Sequence, residues 1–132
     1  MDREIKFRAW DKNDAVMRDW ENLMATVYYH KGDTVFNDNG LIITQYTGLK
    51  DCKGNEIYEG DILAIEQHMP YISNNKWVVE WCEINHCWGI YRDKTSESYT
   101  WYSFSNLNGF ESDSKIIGNI YENPEMKGGE TK

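Results

Sequence analysis

The segment CEINHC, at residues 82–87, has the side chains best suited to binding a metal ion. Thiolates and imidazoles are good zinc ligands, so Cys82, His86 and Cys87 are weak candidates for a metal site. Structural zinc sites usually have paired Cys-x-x-Cys or His-x-x-x-His spacings, which this segment lacks. On a strand, His86 and Cys87 would point to opposite faces, whereas Cys82 and Cys87 would approach each other if they flank a hairpin turn. We therefore expect packing thiols, no metal site and no cofactor.

A Cys–His nucleophile is the enzymatic alternative for the same segment. Such a nucleophile needs surroundings that stabilise the thiolate, whereas the carboxylates of Glu80 and Glu83 disfavour it. The sequence identifies no third residue to orient the histidine. Acidic pairs such as Glu59 with Asp61 are expected by chance in a chain with 22 acidic residues. The sequence therefore predicts no catalytic residues and a protein that is not an enzyme.

The six tryptophans and nine tyrosines provide a different kind of chemistry, through contacts of their rings. Aromatic rings on a barrel face can stack nucleic-acid bases, normally beside a positively charged groove. Residues 77–102 contain two basic and four acidic residues, so a core that extends into a subunit interface is favoured over base stacking. The candidate interface residues are Trp77, Trp81, Trp88 and Trp101.

The net charge of −8 is distributed unevenly along the chain. Residues 1–36 have a net charge of −1, whereas residues 37–132 have a net charge of −7. Binding to a phosphate backbone depends on clustered Lys and Arg, so the larger part of the chain is poorly suited to non-specific nucleic-acid binding. Its field would instead attract basic protein surfaces, unless the charge serves only solubility.

The opening MDREIKFRAW is not followed by an apolar run, so we expect no secretory signal. No segment approaches the length and hydrophobicity of a membrane span. Three cysteines are an odd number, and reduced thiols in the cytoplasm are the expected state.

The elements that would position these side chains are predicted to be mostly β-strands. EIKFRAW alternates with a period of two, and VMRDW would return after the turn DKNDA as the second strand of a hairpin. Residues 20–30 combine helical spacing with the β-rich ATVYY, and we favour a strand at 24–30. From Leu41 onward, five or six short strands follow without a convincing intervening helix, and Pro124 ends the last of them.

This pattern predicts a mainly β protein, β-rich α+β at most, built around a small antiparallel barrel. The predicted organisation is an N-terminal β-hairpin lobe at residues 1–40, a barrel at residues 41–126 and a disordered tail at residues 127–132.

The stretch YTGLKDCKGNEIYEGDIL, at residues 46–63, has three glycines spaced six apart. This spacing does not match a phosphate-binding loop, and no helix-forming segment follows it. Two turns explain the stretch better. In the first, Gly54 would take a positive φ and Asp51 would accept hydrogen bonds from backbone amides. In the second, around Gly60, Asp61 would accept such bonds and fix the direction in which the next strand begins.

QYTGLKDCKGNEIYEGDIL, together with the N-terminal REIKFRAWDK and the closing IIGNIYENPEM, resembles the YopX-like family of phage and prophage proteins. The resemblance implies a β-rich protein whose C-terminal part is an SH3-like barrel, preceded by an N-terminal lobe with strands. It also implies carriage by a bacteriophage or prophage, no catalytic residues and a molecular function that is not established. The family motif is expected to be structural and comprises Phe7, Arg8, Tyr46, Thr47, Gly48, Leu49, Asp51, Gly54, Ile57, Tyr58, Glu59, Gly60, Asp61, Ile62, Ile117, Gly118, Asn119, Ile120, Tyr121, Asn123 and Pro124.

The function expected from these observations is that of a non-enzymatic phage accessory protein that works through protein contacts. Its partners would be further copies of itself, a phage protein or a host protein, in the cytoplasm of the host bacterium and away from the membrane. Two alternatives stay open. One is a nucleic-acid-associated protein of phage DNA metabolism, suggested by the barrel and its aromatic residues. The other is an acidic DNA mimic that inhibits a host DNA-binding protein, suggested by the charge.

Overall fold

The computed structural model describes residues 4–29, 40–65, 76–92, 101–104 and 113–126. The chain divides into two compact units, Met1–Tyr46 and Thr47–Lys132. Within the described ranges the elements, in chain order, are β1 (Phe7–Asp11), β2 (Val16–Arg18), α1 (Trp20–Tyr29), β3 (Leu41–Lys50), β4 (Glu56–Tyr58), β5 (Asp61–Ile65), β6 (Lys76–Cys82), β7 (Cys87–Tyr91), β8 (Trp101–Ser103), β9 (Ser114–Asn119) and a 3₁₀ turn (Pro124–Met126). The predicted disordered tail at residues 127–132 lies outside these ranges.

The first unit begins with the hairpin that the sequence predicted. Strands β1 and β2 are antiparallel, and Asp11 faces Val16 across a four-residue turn. The Asp11 carboxylate accepts hydrogen bonds from the backbone amides of Asn13 and Asp14, at 2.9 and 3.1 Å. Arg18 contacts the other oxygen of the same carboxylate at 3.0 Å, so one side chain joins the turn to the returning strand.

A helix follows where the sequence analysis favoured a strand at residues 24–30, and that prediction is wrong. Helix α1 (Trp20–Tyr29) begins after Asp19, whose carboxylate accepts a hydrogen bond from the amide of Asn22 at 2.8 Å. The Asp19 carbonyl accepts the first helical bond, from the amide of Leu23 at 2.9 Å. Asp19 is therefore the N-cap, a signal that was present in the sequence.

Packing explains why the helical spacing prevailed over the β propensity of ATVYY. Leu23 is fully buried against Ala9 of β1, and Trp20 and Met24 pack on the same cluster. Residues at i, i+3 and i+4 share one face of a helix, so this face covers the β1–β3 sheet with one apolar stripe. In β1, Phe7 is in ring contact with Trp20, with centroids 6.0 Å apart.

The second unit is built on a five-stranded antiparallel sheet in the order β8-β7-β6-β5-β9. A second sheet has the order β2-β1-β3-β4, so β3 pairs with β1 in the first unit and with β4 in the second. One of the two sheets is curled into a half-barrel. The predicted mainly β fold is confirmed. The three-residue strand β4, between the two predicted turns, was not foreseen.

The five-stranded sheet is buried on both faces, as its alternating residues show. Leu63, Trp77, Val79 and Ile90 point to one face, where they pack with Ile57 of β4. Ile62, Val78 and Tyr91 point to the other face, beside Trp101, Ile117, Ile120 and Met126. Burial, followed by the nearby carboxylate of Glu80 and by Tyr121, raises the pKa of Tyr91 to about 12. Tyr91 is therefore a neutral core residue.

Gly60 lies where three segments of the second unit meet. Its amide donates to the carbonyl of Val79 at 2.8 Å, and its own carbonyl accepts from the amide of Ile120 at 2.9 Å. Its φ is +89°, and a Cβ atom added to it would lie 2.9 Å from the ring of Tyr121. The positive φ favours glycine, and the close ring gives a second reason for glycine at this position.

Replacement of Gly60 by alanine is expected to lower the free energy of unfolding more than replacement of Gly48 by alanine. Both glycines have a positive φ, +89° and +91°, which costs about 1–2 kcal/mol for a residue with a Cβ atom. A Cβ atom at Gly48 meets no atom within 4 Å, whereas at Gly60 it would displace the Tyr121 ring, at a further cost of about 1–3 kcal/mol. Urea unfolding of the two variants measures the difference, and equal destabilisation would contradict the Tyr121 contact.

Candidate functional site

The middle and C-terminal blocks of the motif meet at the carboxylate of Asp51. One oxygen accepts hydrogen bonds from the amides of Lys53 and Asn55, both at 2.9 Å, and so closes the first turn. The other oxygen accepts from the amide of Ile116 in β9, at 3.0 Å and 65 residues away in sequence. The amide of Cys52 donates to the carbonyl of Ser114 at 2.8 Å and ties the same turn to the same strand. The predicted turn is confirmed, with φ of +83° at Gly54.

Asp51 is almost completely buried, at 5% exposure. Burial alone would raise the pKa of its carboxyl, but the hydrogen bonds from the amides of Ile116, Asn55 and Lys53 outweigh burial. Together they hold the pKa of Asp51 below its usual value of 3.8. The side chain is therefore an ionised, internally solvated group whose acceptor sites are used by the protein's own backbone.

Asp61 and Asn119 perform the same task at the second turn and at the end of β9. The Asp61 carboxylate accepts from the amide of Tyr58 at 2.8 Å, as predicted, and Asp61 faces Asn119 in the β5–β9 register. The Asn119 side-chain oxygen accepts from the amides of Tyr121 and Glu122, at 3.1 and 2.8 Å. These polar residues therefore bond to the backbone of their own turns.

Two further motif residues complete this arrangement. The side-chain oxygen of Asn123 accepts from the amide of Asn119 at 3.2 Å, and a Cβ atom at Gly118 would lie 2.5 Å from that oxygen. The hydroxyl of Thr47 donates to the carbonyl of Ile57 at 2.8 Å. The motif residues with these contacts hold turns and strands in place, and the candidate site for a partner lies elsewhere.

Within the described ranges, the pairing between strands β6 and β7 continues beyond the pairing of either strand with its other neighbour. The paired residues of β5 and β6 end at Val78, and those of β7 and β8 begin at Gly89. The β6–β7 pairing, in contrast, continues to Cys82 and Cys87. We call residues 81–88 the hairpin tip. In the part of the chain that the structure describes, strand pairing at the tip is between β6 and β7 alone, which makes the tip a candidate surface for contact with another molecule.

The hairpin tip has two packed tryptophan rings at its base and one exposed apolar side chain in its turn. Trp81 and Trp88 are directly opposite in the register, and their rings are edge to face with centroids 5.2 Å apart. Trp81 is 38% exposed, and Ile84 in the turn is 89% exposed. Covering apolar surface of this kind lowers the free energy of a complex. Tryptophan is enriched among the residues that contribute most of the binding free energy at protein interfaces. Ile84 was not singled out from the sequence, although an isoleucine in an otherwise polar turn is a recognisable signal.

The other two predicted interface tryptophans are placed differently. Trp77 is fully buried, between the ring of Tyr102 at 5.6 Å and the guanidinium of Arg92 at 5.7 Å. Trp101 is half-buried and lies across Gly89, where an added Cβ atom would clash with its ring. Both rings pack within the second unit, so Trp81 is the tryptophan most available to a partner.

The predicted metal candidates are also found at the hairpin tip. Cys82 and Cys87 flank the turn as expected, and His86 is in that turn with φ of +52°. All three cysteines of the chain, including the exposed Cys52, are free thiols. Across the described ranges, no three His, Cys, Asp or Glu side chains are grouped so that they could hold a metal ion.

No helix in the described part of the chain is long and apolar enough to cross a membrane.

The fold defines a mainly β protein. In it, two turns that are capped by the side chains of Asp51 and Asp61 are joined to the last strand, β9. The model of the YopX protein family matches residues 6–126, and the chain belongs to that family. Its structure is similar to the crystal structure of protein EF1440 from Enterococcus faecalis, with a TM-score of 0.56 and 22% sequence identity. The similarity covers 95% of this chain and 99% of EF1440, which shows a shared fold. No curated protein sequence has significant similarity to this chain.

Replacement of Asp51 by asparagine is expected to lower the free energy of unfolding at neutral pH by about 1.5–3 kcal/mol, because hydrogen bonds to a charged acceptor are lost. The pKa of Asp51 is lower in the folded than in the unfolded chain, so ionisation stabilises the fold above pH 3.8. That contribution disappears as the pH falls through the folded-state value. Urea unfolding of both proteins between pH 7 and pH 3 should show their difference shrinking at the acid end. A difference that is constant across this range would contradict the role of the ionised carboxylate.

Proposed function

We propose that this YopX-family protein is a non-enzymatic accessory protein of a phage or prophage, which acts through protein contacts and self-associates through the hairpin tip. The observation that supports this proposal most directly is the exposure of Ile84 and Trp81 at the end of the β6–β7 hairpin. Within the described ranges, the pairing in this hairpin continues beyond the pairing of β5 with β6 and of β7 with β8. The proposed site of action is the cytoplasm of the host bacterium. A phage or host protein is the second kind of partner that the same surface would accept.

The energetics of the hairpin tip favour a partner with an apolar surface. Covering an isoleucine side chain contributes roughly 1.5–3 kcal/mol. The Trp81–Trp88 pair is already ordered by its edge-to-face contact, so less side-chain freedom is lost on binding than for a mobile ring. Two such residues do not make a complete interface, but they can act as its central anchor.

Self-association of this acidic protein should depend on salt concentration in a different way from the two alternative functions. Each copy has a net charge of −8, so two copies repel each other at low ionic strength, and added salt screens that repulsion. Binding to a basic partner surface, as a DNA mimic would require, is weakened by salt. Binding to nucleic acid is also weakened by salt. Salt dependence therefore separates the proposed function from the other two.

Replacement of Ile84 by aspartate is expected to reduce self-association, because a charge at the centre of an apolar contact opposes its burial. Light scattering at micromolar concentrations and increasing salt should show the unaltered protein as an oligomer and the variant shifted towards monomer. The thermal unfolding midpoint should be unchanged, because Ile84 is 89% exposed.

Ile5 provides the matched control for this experiment. It is 58% exposed and lies in the first unit, so Ile5→Asp adds the same charge away from the hairpin tip. This variant should associate as the unaltered protein does. A monodisperse monomer for the unaltered protein at every salt concentration would contradict self-association, as would equal effects of Ile5→Asp and Ile84→Asp.

A further inference from the structure

Cys82 and Cys87 are the last paired residues of the β6–β7 hairpin before its four-residue turn. Residues directly opposite in an antiparallel pair have their side chains on the same face, with Cα atoms about 4.5–5.5 Å apart. Disulfide bonds form between cysteines whose Cα atoms are about 4.4–6.8 Å apart. The register therefore places the two Cα atoms at a separation that a disulfide bond can span.

Both sulfur atoms are accessible and have only weak contacts. Each cysteine is partly exposed, and both are free thiols. The Sγ atom of Cys82 is 3.6 Å from the side-chain nitrogen of Asn85, and that of Cys87 is 3.7 Å from the hydroxyl of Ser103. Rotation of the side chains about their Cα–Cβ bonds, with loss of these contacts and a small closing of the strand pair, brings the sulfur atoms together.

We propose that Cys82 and Cys87 form an oxidant-sensitive dithiol site, which a peroxide converts into a cross-strand disulfide. In the first step, the sulfur of one deprotonated thiol attacks a peroxide oxygen and forms a sulfenic acid, and the displaced hydroxide takes up a proton to become water. In the second step, the other thiol attacks that sulfur and a second water molecule leaves. Overall, two thiols and one hydrogen peroxide give one disulfide and two water molecules.

The two cysteines belong to the hairpin tip but lie on the face away from its tryptophan pair. Cys82 and Cys87 alternate with Trp81 and Trp88 along β6 and β7, so the thiols point to the opposite face of the hairpin. The disulfide would close the base of the turn that contains Ile84 and reduce the freedom of that turn. The modification does not depend on self-association, and it can be tested independently of it.

The test is mass spectrometry of the full-length reduced protein after treatment with hydrogen peroxide. Cleavage after Lys76 and Arg92 releases one peptide, residues 77–92, that contains both cysteines and no other cleavage site for trypsin. This peptide should become lighter by two hydrogen atoms, and dithiothreitol should restore its mass. The titre of free thiols should fall from three per chain to one, since Cys52 has no paired cysteine.

Cys52 provides an internal control for general thiol reactivity, because it is exposed. In Cys52→Ser, oxidation should still produce the lighter peptide. In Cys82→Ser, the peptide of residues 77–92 should keep the mass of the unoxidised form or gain oxygen.

A second measurement compares the folded and the urea-unfolded chain in a glutathione buffer. The equilibrium constant for disulfide formation should be larger in the folded chain by about tenfold or more, because the register holds the thiols together. Oxidation of Cys52 while peptide 77–92 keeps both thiols would overturn the proposal. Equal disulfide equilibria in the folded and unfolded chains would also overturn it.

Discussion

The second unit depends on one buried carboxylate, that of Asp51. With one oxygen it closes the turn that follows β3, and with the other it accepts the amide of Ile116 in β9. Burial opposes the negative charge of this side chain, and the backbone amides around it more than offset that effect. Asp51 and Ile116 are 65 residues apart, so this one carboxylate joins a local turn to the distant strand β9. Loss of the charge therefore weakens both.

The same use of a polar side chain to cap a turn recurs at three other places in the described ranges. Asp11 caps the β1–β2 turn, Asp61 caps the turn before β5, and Asn119 caps the chain after β9. Each polar side chain satisfies backbone amides that a tight turn would otherwise leave without acceptors. This use accounts for the hydrogen bonds of Asp51, Asp61 and Asn119, three polar residues of the predicted family motif. Trp81 and Ile84 at the hairpin tip differ from this pattern, since they are exposed apolar side chains beside the exposed polar Glu83, Asn85 and His86.

Much of the fold followed from local patterns. The period of two in EIKFRAW predicted β1, and the Asp–Gly combinations predicted both turns of the middle block, because these signals act within a few residues. The helix was missed because the β-rich ATVYY was given more weight than the spacing of Trp20, Leu23 and Met24. The apolar stripe of the helix is buried only because β1 lies beneath it. The candidate interface was only partly predictable, since Trp81 was named and Ile84 was not.

The sequence by itself determined β1, the two turns of the middle block and the alternation that places strand residues on a shared face, because side-chain periodicity and turn chemistry are local properties. Only the tertiary structure decided which residues on a shared face are covered. Trp77 and Trp81 point to the same face of β6, yet Trp77 is fully buried and Trp81 is 38% exposed. The reason is the length of pairing, since the paired residues of β5 and β6 end at Val78 while the β6–β7 hairpin continues to Cys82. Where a neighbouring strand stops depends on contacts between distant segments, which no local pattern records.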